Sequence, residues 1–99
     1  MTTYKIPLVA TPSQTLTVQL GQQSCRIDVR QRRTGLFVDL YVQDEPICLG
    51  VKALDRTRLV RGSYLGFVGD LYFTDLQGDS DPDYTGLADR FLFVWNDAL

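Results

Sequence analysis

The sequence predicts an all-β domain, a small sandwich or partly open barrel of about seven short antiparallel strands joined by hairpins. Three observations carry that expectation. Apolar and polar residues alternate with period two over several segments. Turns containing glycine, proline or aspartate punctuate those segments, and no window of helix length holds a helical period.

The strands follow at short intervals. Met1-Thr2-Thr3-Tyr4-Lys5 leads straight into a strand-like segment, with no apolar run of signal-peptide length. Residues 15–20 put Leu16, Val18 and Leu20 on one face and polar residues on the other. After a Gly21-Gln22-Gln23 turn the pattern resumes, with Cys25, Ile27 and Val29 inward and Arg26, Asp28 and Arg30 outward. Two half-buried strands across a short glycine-containing loop read as a hairpin. Arg33-Thr34-Gly35 opens the next strand, in which Leu36, Val38, Leu40 and Val42 share a face and Phe37, Asp39 and Tyr41 take the other. Asp44-Glu45-Pro46 turns the chain into a short strand over 47–51.

From 52 to 61 the pattern weakens, and Leu59-Val60 is the strand signal there. Glycines interrupt the apolar run around Leu65-Gly66-Phe67 and Gly69-Asp70, as at a turn or bulge. Residues 71–74 are rich in β-formers. The stretch 75–89 is the most polar, with Gly78, Pro82 and Gly86 as punctuation, and 90–95 makes a strong final strand.

A length of 99 residues fits one domain over 1–99, with one modest core and no room for a separate catalytic domain. The net charge of −2 argues against nucleic-acid recognition, which leaves a basic footprint. Arg30, Arg32 and Arg33 cluster at one turn and read as a solvated loop. No apolar stretch is long enough to cross a bilayer. Cytosolic synthesis is expected, which disfavours disulfides. Cys25 and Cys48 have no metal or redox spacing, and Cys25 reads as a small buried hydrophobe.

The chain has no histidine, so Ser-His-Asp and Cys-His nucleophile systems and histidine zinc sites are excluded within it. No glycine-rich turn is followed by Lys-Ser or Lys-Thr, which removes the phosphate loop. Asp79, Asp81 and Asp83 alternate as in a calcium loop. The match fails where the sharp turn needs glycine and Tyr84 stands, and where a bidentate glutamate is needed and Arg90 stands. No enzyme, metal or cofactor is expected. The aspartates suit turn capping, Pro82 stiffens the segment, and Arg90 either forks onto a carboxylate of this stretch or points into water.

Ile6-Pro7-Leu8 followed by Pro12-Ser13-Gln14-Thr15-Leu16-Thr17-Val18-Gln19-Leu20 is one half of a recognisable pattern. The other is Asp75-Leu76-Gln77-Gly78-Asp79-Ser80-Asp81-Pro82-Asp83-Tyr84-Thr85-Gly86-Leu87, running into Arg90-Phe91-Leu92. Together they resemble the small baseplate plug proteins of contractile-tailed phages. Asp39 and the Leu49-Gly50-Val51 step fit the same pattern. The resemblance implies a structural virion protein of the tail baseplate, in the central hub near the tube tip and above the spike, that helps close the tube until contraction. It also implies assembly in the host cytoplasm, contacts with hub, spike and tail tube or tube initiator, and a homo-oligomer of three- or six-fold symmetry. No role for the cysteines carries over.

Candidate assembly contacts are Phe37, Tyr41, Asp81, Asp83, Tyr84 and Arg90: outward aromatics and the charged loop. Two rival readings stand beside this one. A small carbohydrate-binding β module would use exposed aromatics, and a small hydrolase would use two aspartates.

Overall fold

In the computed structural model, which describes residues 3–60, 69–87 and 89–96, the alternating segments become two antiparallel sheets. The strands are β1 (Thr3–Ile6), β2 (Ser13–Leu20), β3 (Gln23–Arg32), β4 (Gly35–Val42), β5 (Glu45–Lys52), β6 (Asp70–Asp75) and β7 (Phe91–Asn96). Strands β2-β3-β4-β5 form one sheet in chain order, and β1-β7-β6 form the other. The sheets do not close into a barrel.

The first hairpin shows how local chemistry sets register. Gly21 and Gln22 both take positive φ, 56° and 67°, as a two-residue turn of the primed type requires. Glycine reaches that region without a Cβ penalty. Leu20 then pairs with Gln23, and register runs unbroken to Ser13 opposite Arg30. The turn is therefore shorter than the three residues expected, and Gln23 opens β3. Its buried side chain donates from Nε2 to the Leu20 carbonyl at 3.0 Å. Likewise Gln43 and Asp44, both at positive φ, make the turn before β5, so Glu45 and Pro46 belong to the strand.

With register set, every second side chain points inward. Cys25, Ile27 and Val29 of β3 and Leu36, Val38 and Leu40 of β4 are buried, and they share a core with Ile6, Leu71, Phe73, Phe91, Phe93 and Trp95 of the other sheet. Phe73 and Phe93 are cross-strand partners whose rings stack at 4.3 Å. Each fully buried side chain of this kind contributes about 1.5–3 kcal/mol. At the margin, Leu16, Val18 and Val42 are only partly buried.

Leu59-Val60 is not a strand. Both residues are buried, but Leu59 donates singly to the Leu71 carbonyl, and a carboxylate, Asp70 Oδ1, takes the Val60 N–H at 2.9 Å. The glycine interruption around Leu65-Gly66-Phe67 lies outside the described residues. Cys25 is fully buried and Cys48 half-buried; both are free thiols. Burial raises the pKa of Cys25 and pushes that of Cys48 up to about 11, which suppresses the reactive thiolate.

Candidate assembly surface

The outer face of the four-stranded sheet begins as a problem of opposed charges. Register places Asp28 directly across from Asp39, and like charges so placed repel. Each is matched by an arginine. Arg26 Nε lies 4.0 Å from Asp28, and Arg30 Nη2 donates to Asp39 Oδ2. Asp39 is also covered from the β5 side, where the register between β4 and β5 slips. Leu49 and Gly50 together oppose Asp39, the local geometry of a bulge. Gly50 adopts φ +62° there, and its N–H donates to Asp39 Oδ1 at 2.5 Å. Thus Asp39 and the Leu49-Gly50-Val51 step, two separate marks in the sequence, form one structural unit.

Aromatics flank this charged strip. Tyr41 lies opposite Arg26, whose guanidinium sits 4.1 Å from the ring centroid. Phe37 lies opposite Arg30. Both rings are half-buried. The face therefore carries an aromatic–arginine–aspartate band with its charges paired and both rings half-exposed.

The 75–90 segment forms the second part of the candidate surface, and Asp75, Asp81 and Asp83 within it are already hydrogen-bonded. Asp75, only 3% exposed, receives both Arg90 Nε and Nη2 at 2.8 Å and the N–H groups of Gln77 and Ser80 at 2.9 Å. The Arg90 fork, aided by those N–H bonds, holds the Asp75 carboxyl well below the usual carboxylate range. Asp55 Oδ1 accepts from the Asp75 N–H at 2.9 Å, and Asp81 Oδ1 accepts from the Asp55 N–H at 3.0 Å. Arg56 spans the same corner, donating to the Gly78 carbonyl at 3.2 Å.

Further along, Asp83 caps a single 3-10 turn, Tyr84–Gly86. Its Oδ1 accepts from the Thr85 N–H at 2.9 Å and the Thr85 hydroxyl at 2.7 Å, and these bonds lower its pKa. Pro82 is buried, the Tyr84 side chain packs against the core, and its N–H donates to Gln31 Oε1 at 3.0 Å.

Of the six residues singled out from sequence, the structure brings together two groups. Phe37 and Tyr41 share the outer sheet face; Asp81, Asp83, Tyr84 and Arg90 lie in the loop before β7. Sequence reasoning left open whether Arg90 forks onto this stretch or points into water; the structure shows the fork, with Asp75, the first residue of the stretch, as the partner. Sequence reasoning also missed Asp55, Gln31 and the Arg30–Asp39 pair, which meet only once the sheets are assembled. Among the described residues no three His, Cys, Asp or Glu side chains converge as a metal site would require. The exposed large apolar side chains among them, Tyr4, Val9, Leu49 and Leu76, are scattered and include one aromatic.

A family model described as "Cyanophage baseplate Pam3 plug gp18" matches residues 3–98. No curated protein matches the chain.

Proposed function

The chain belongs to the cyanophage baseplate Pam3 plug gp18 family, and from that premise we propose that it is a non-catalytic plug in the central hub of a contractile tail. In this reading it sits near the tube tip and the spike and helps close the tube until contraction. Several copies, three or six, surround the tail axis and touch hub, spike and tube components. The match over nearly the whole chain carries the reading. The structure supports it in kind, because three of the groups that looked like chemistry are engaged in holding the fold: Arg90 on Asp75, Asp81 on the Asp55 N–H, Asp83 on Thr85.

The contact surface divides by duty. Phe37 and Tyr41 offer half-exposed rings, and the exposed Asp81 and Asp83 offer the carboxylate oxygens that the loop leaves outward. Tyr84 and Arg90 brace the loop from beneath.

Reconstruction of the parent particle tests the placement: density for this fold inside the hub at the tube tip is expected, and density on the tail exterior alone would refute it. At residue level, Asp83→Ala with Tyr84→Ala separates contact from bracing. A folded variant that fails to enter particles marks an assembly contact. A variant with a lowered Tm that incorporates normally at low temperature marks an internal brace.

A further inference from the structure

The two sheets end in four edge strands, and an edge is a template for another chain unless something blunts it. Three are blunted. Along β6, Arg56 and Leu59 donate to the carbonyls of Phe73 and Leu71, and Asp55 takes the Asp75 N–H. Strand β5 contains Pro46, begins and ends on the charged Glu45 and Lys52, and shifts register twice against β4. Strand β1 has only 4 residues, includes Lys5 and runs into Pro7.

Among the described residues, strand β2 has none of these devices. Its 8 residues include no charge and no proline, and they pair with β3 without a shift. Near its start the Gln14 side chain is taken up by the backbone of Val9, at 2.7 and 3.1 Å. From Thr15 to Gln19, no strand among the described residues lies along its outer edge. Antiparallel pairing with β3 uses only every second N–H and C=O, so the others face away from the sheet. On the inner face Leu16 and Val18 remain partly exposed, although Ile27 and Cys25 opposite them are fully buried.

We propose that β2 is a self-association edge, pairing antiparallel with β2 of a second copy about a two-fold axis to make one continuous sheet. The occupant is a second copy because this strand complements itself. Hydroxyl and amide side chains alternate with Leu16 and Val18, and no charged side chain of β2 meets its like across the axis. The same patch serves both copies, so the contact closes on itself and does not grow into a filament. It also covers Leu16 and Val18 of each. The pairing is a property of the isolated chain and is independent of the plug reading.

Sedimentation equilibrium of the full chain, from low to high micromolar, tests this. Wild type is expected to dimerise reversibly. Thr15→Lys with Thr17→Lys, and Thr15→Glu with Thr17→Glu, each weaken the dimer by about tenfold or more, while an equimolar mixture of the two variants restores it. A wild type that stays monomeric overturns the proposal, including one that accepts a strand from a different protein instead. So does a dimer indifferent to both variants, or a mixture that remains monomeric. Should the variants fail to fold, amide exchange of wild type decides: alternate β2 amides are slowed at high concentration only, and equal exchange at both concentrations overturns the pairing.

Discussion

Replacing Leu20 by aspartate tests the inward face of the first hairpin. Leu20 is 1% exposed, ends β2 at the turn, and lies beside Gly21, where the Trp95 ring approaches so closely that a Cβ would meet it at 3.0 Å. The substitution removes a buried leucine, worth about 1.5–3 kcal/mol, and places a charge where no cation is paired with it. A loss on the order of 3 kcal/mol or more follows. In a domain of this size each kcal/mol moves Tm by about 4–8 °C, so the fall is about 12–24 °C. The control is Gln19→Asp, one residue away and exposed, which is expected to stay within about 0.5 kcal/mol of wild type. Thermal melts by circular dichroism at neutral pH and low micromolar protein read both. If Leu20→Asp melts with wild type, or if Gln19→Asp is as damaging, the two-residue period has been assigned to the wrong face.

Two further perturbations address the buried carboxylates. Asp39→Ala strips the acceptor from the Gly50 N–H and the partner from Arg30, and is expected to cost about 1–3 kcal/mol in urea denaturation, with Asp39→Asn costing less because it keeps an acceptor; equal losses would deny Gly50 its role. Asp75 is held below the usual carboxylate range by Arg90, so its contribution is fully present above the unfolded value of about 4 and fades as pH falls from there toward the depressed folded value. Asp75→Asn should therefore be less stable at neutral pH and should lose less stability below about pH 4 than wild type. Parallel acid limbs for the two proteins would show that the fork does not couple to folding.

Much of the fold was legible because period-two alternation is a local signal. Leu16, Val18 and Leu20, and then Cys25, Ile27 and Val29, announce their face before any partner is known. Turn lengths were less legible, since the left-handed positions fall on Gln22, Gln43 and Asp44 as well as on glycine, and nothing in those side chains demands that conformation. The meeting of β1 with β7 was not legible at all, because no local pattern joins Tyr4 to Trp95. The same holds for the candidate surface. Phe37 and Tyr41 could be placed on the outer face from alternation alone. The pairing of Arg90 with Asp75 depends on β6 lying beside β7 and setting Asp75 opposite Phe91. Leu59-Val60 misled for a related reason: an apolar pair reads as strand whether its N–H groups go to a ladder or to a carboxylate.

Aspartate serves one structural purpose repeatedly across this domain. Asp39, Asp55, Asp70, Asp75, Asp81 and Asp83 each accept at least one backbone N–H. Such bonds satisfy donors that irregular chain would otherwise leave to water. Asp81, Asp55, Asp75 and Arg90 form a continuous relay of this kind, running from the loop tip to the start of β7. A loop so tied has surrendered its conformational freedom during folding. In the proposed plug role, little further ordering would remain to oppose a contact made by it. The carboxylate stretch thus rigidifies this surface, and under the proposed plug role that rigidity lowers the ordering cost of a contact.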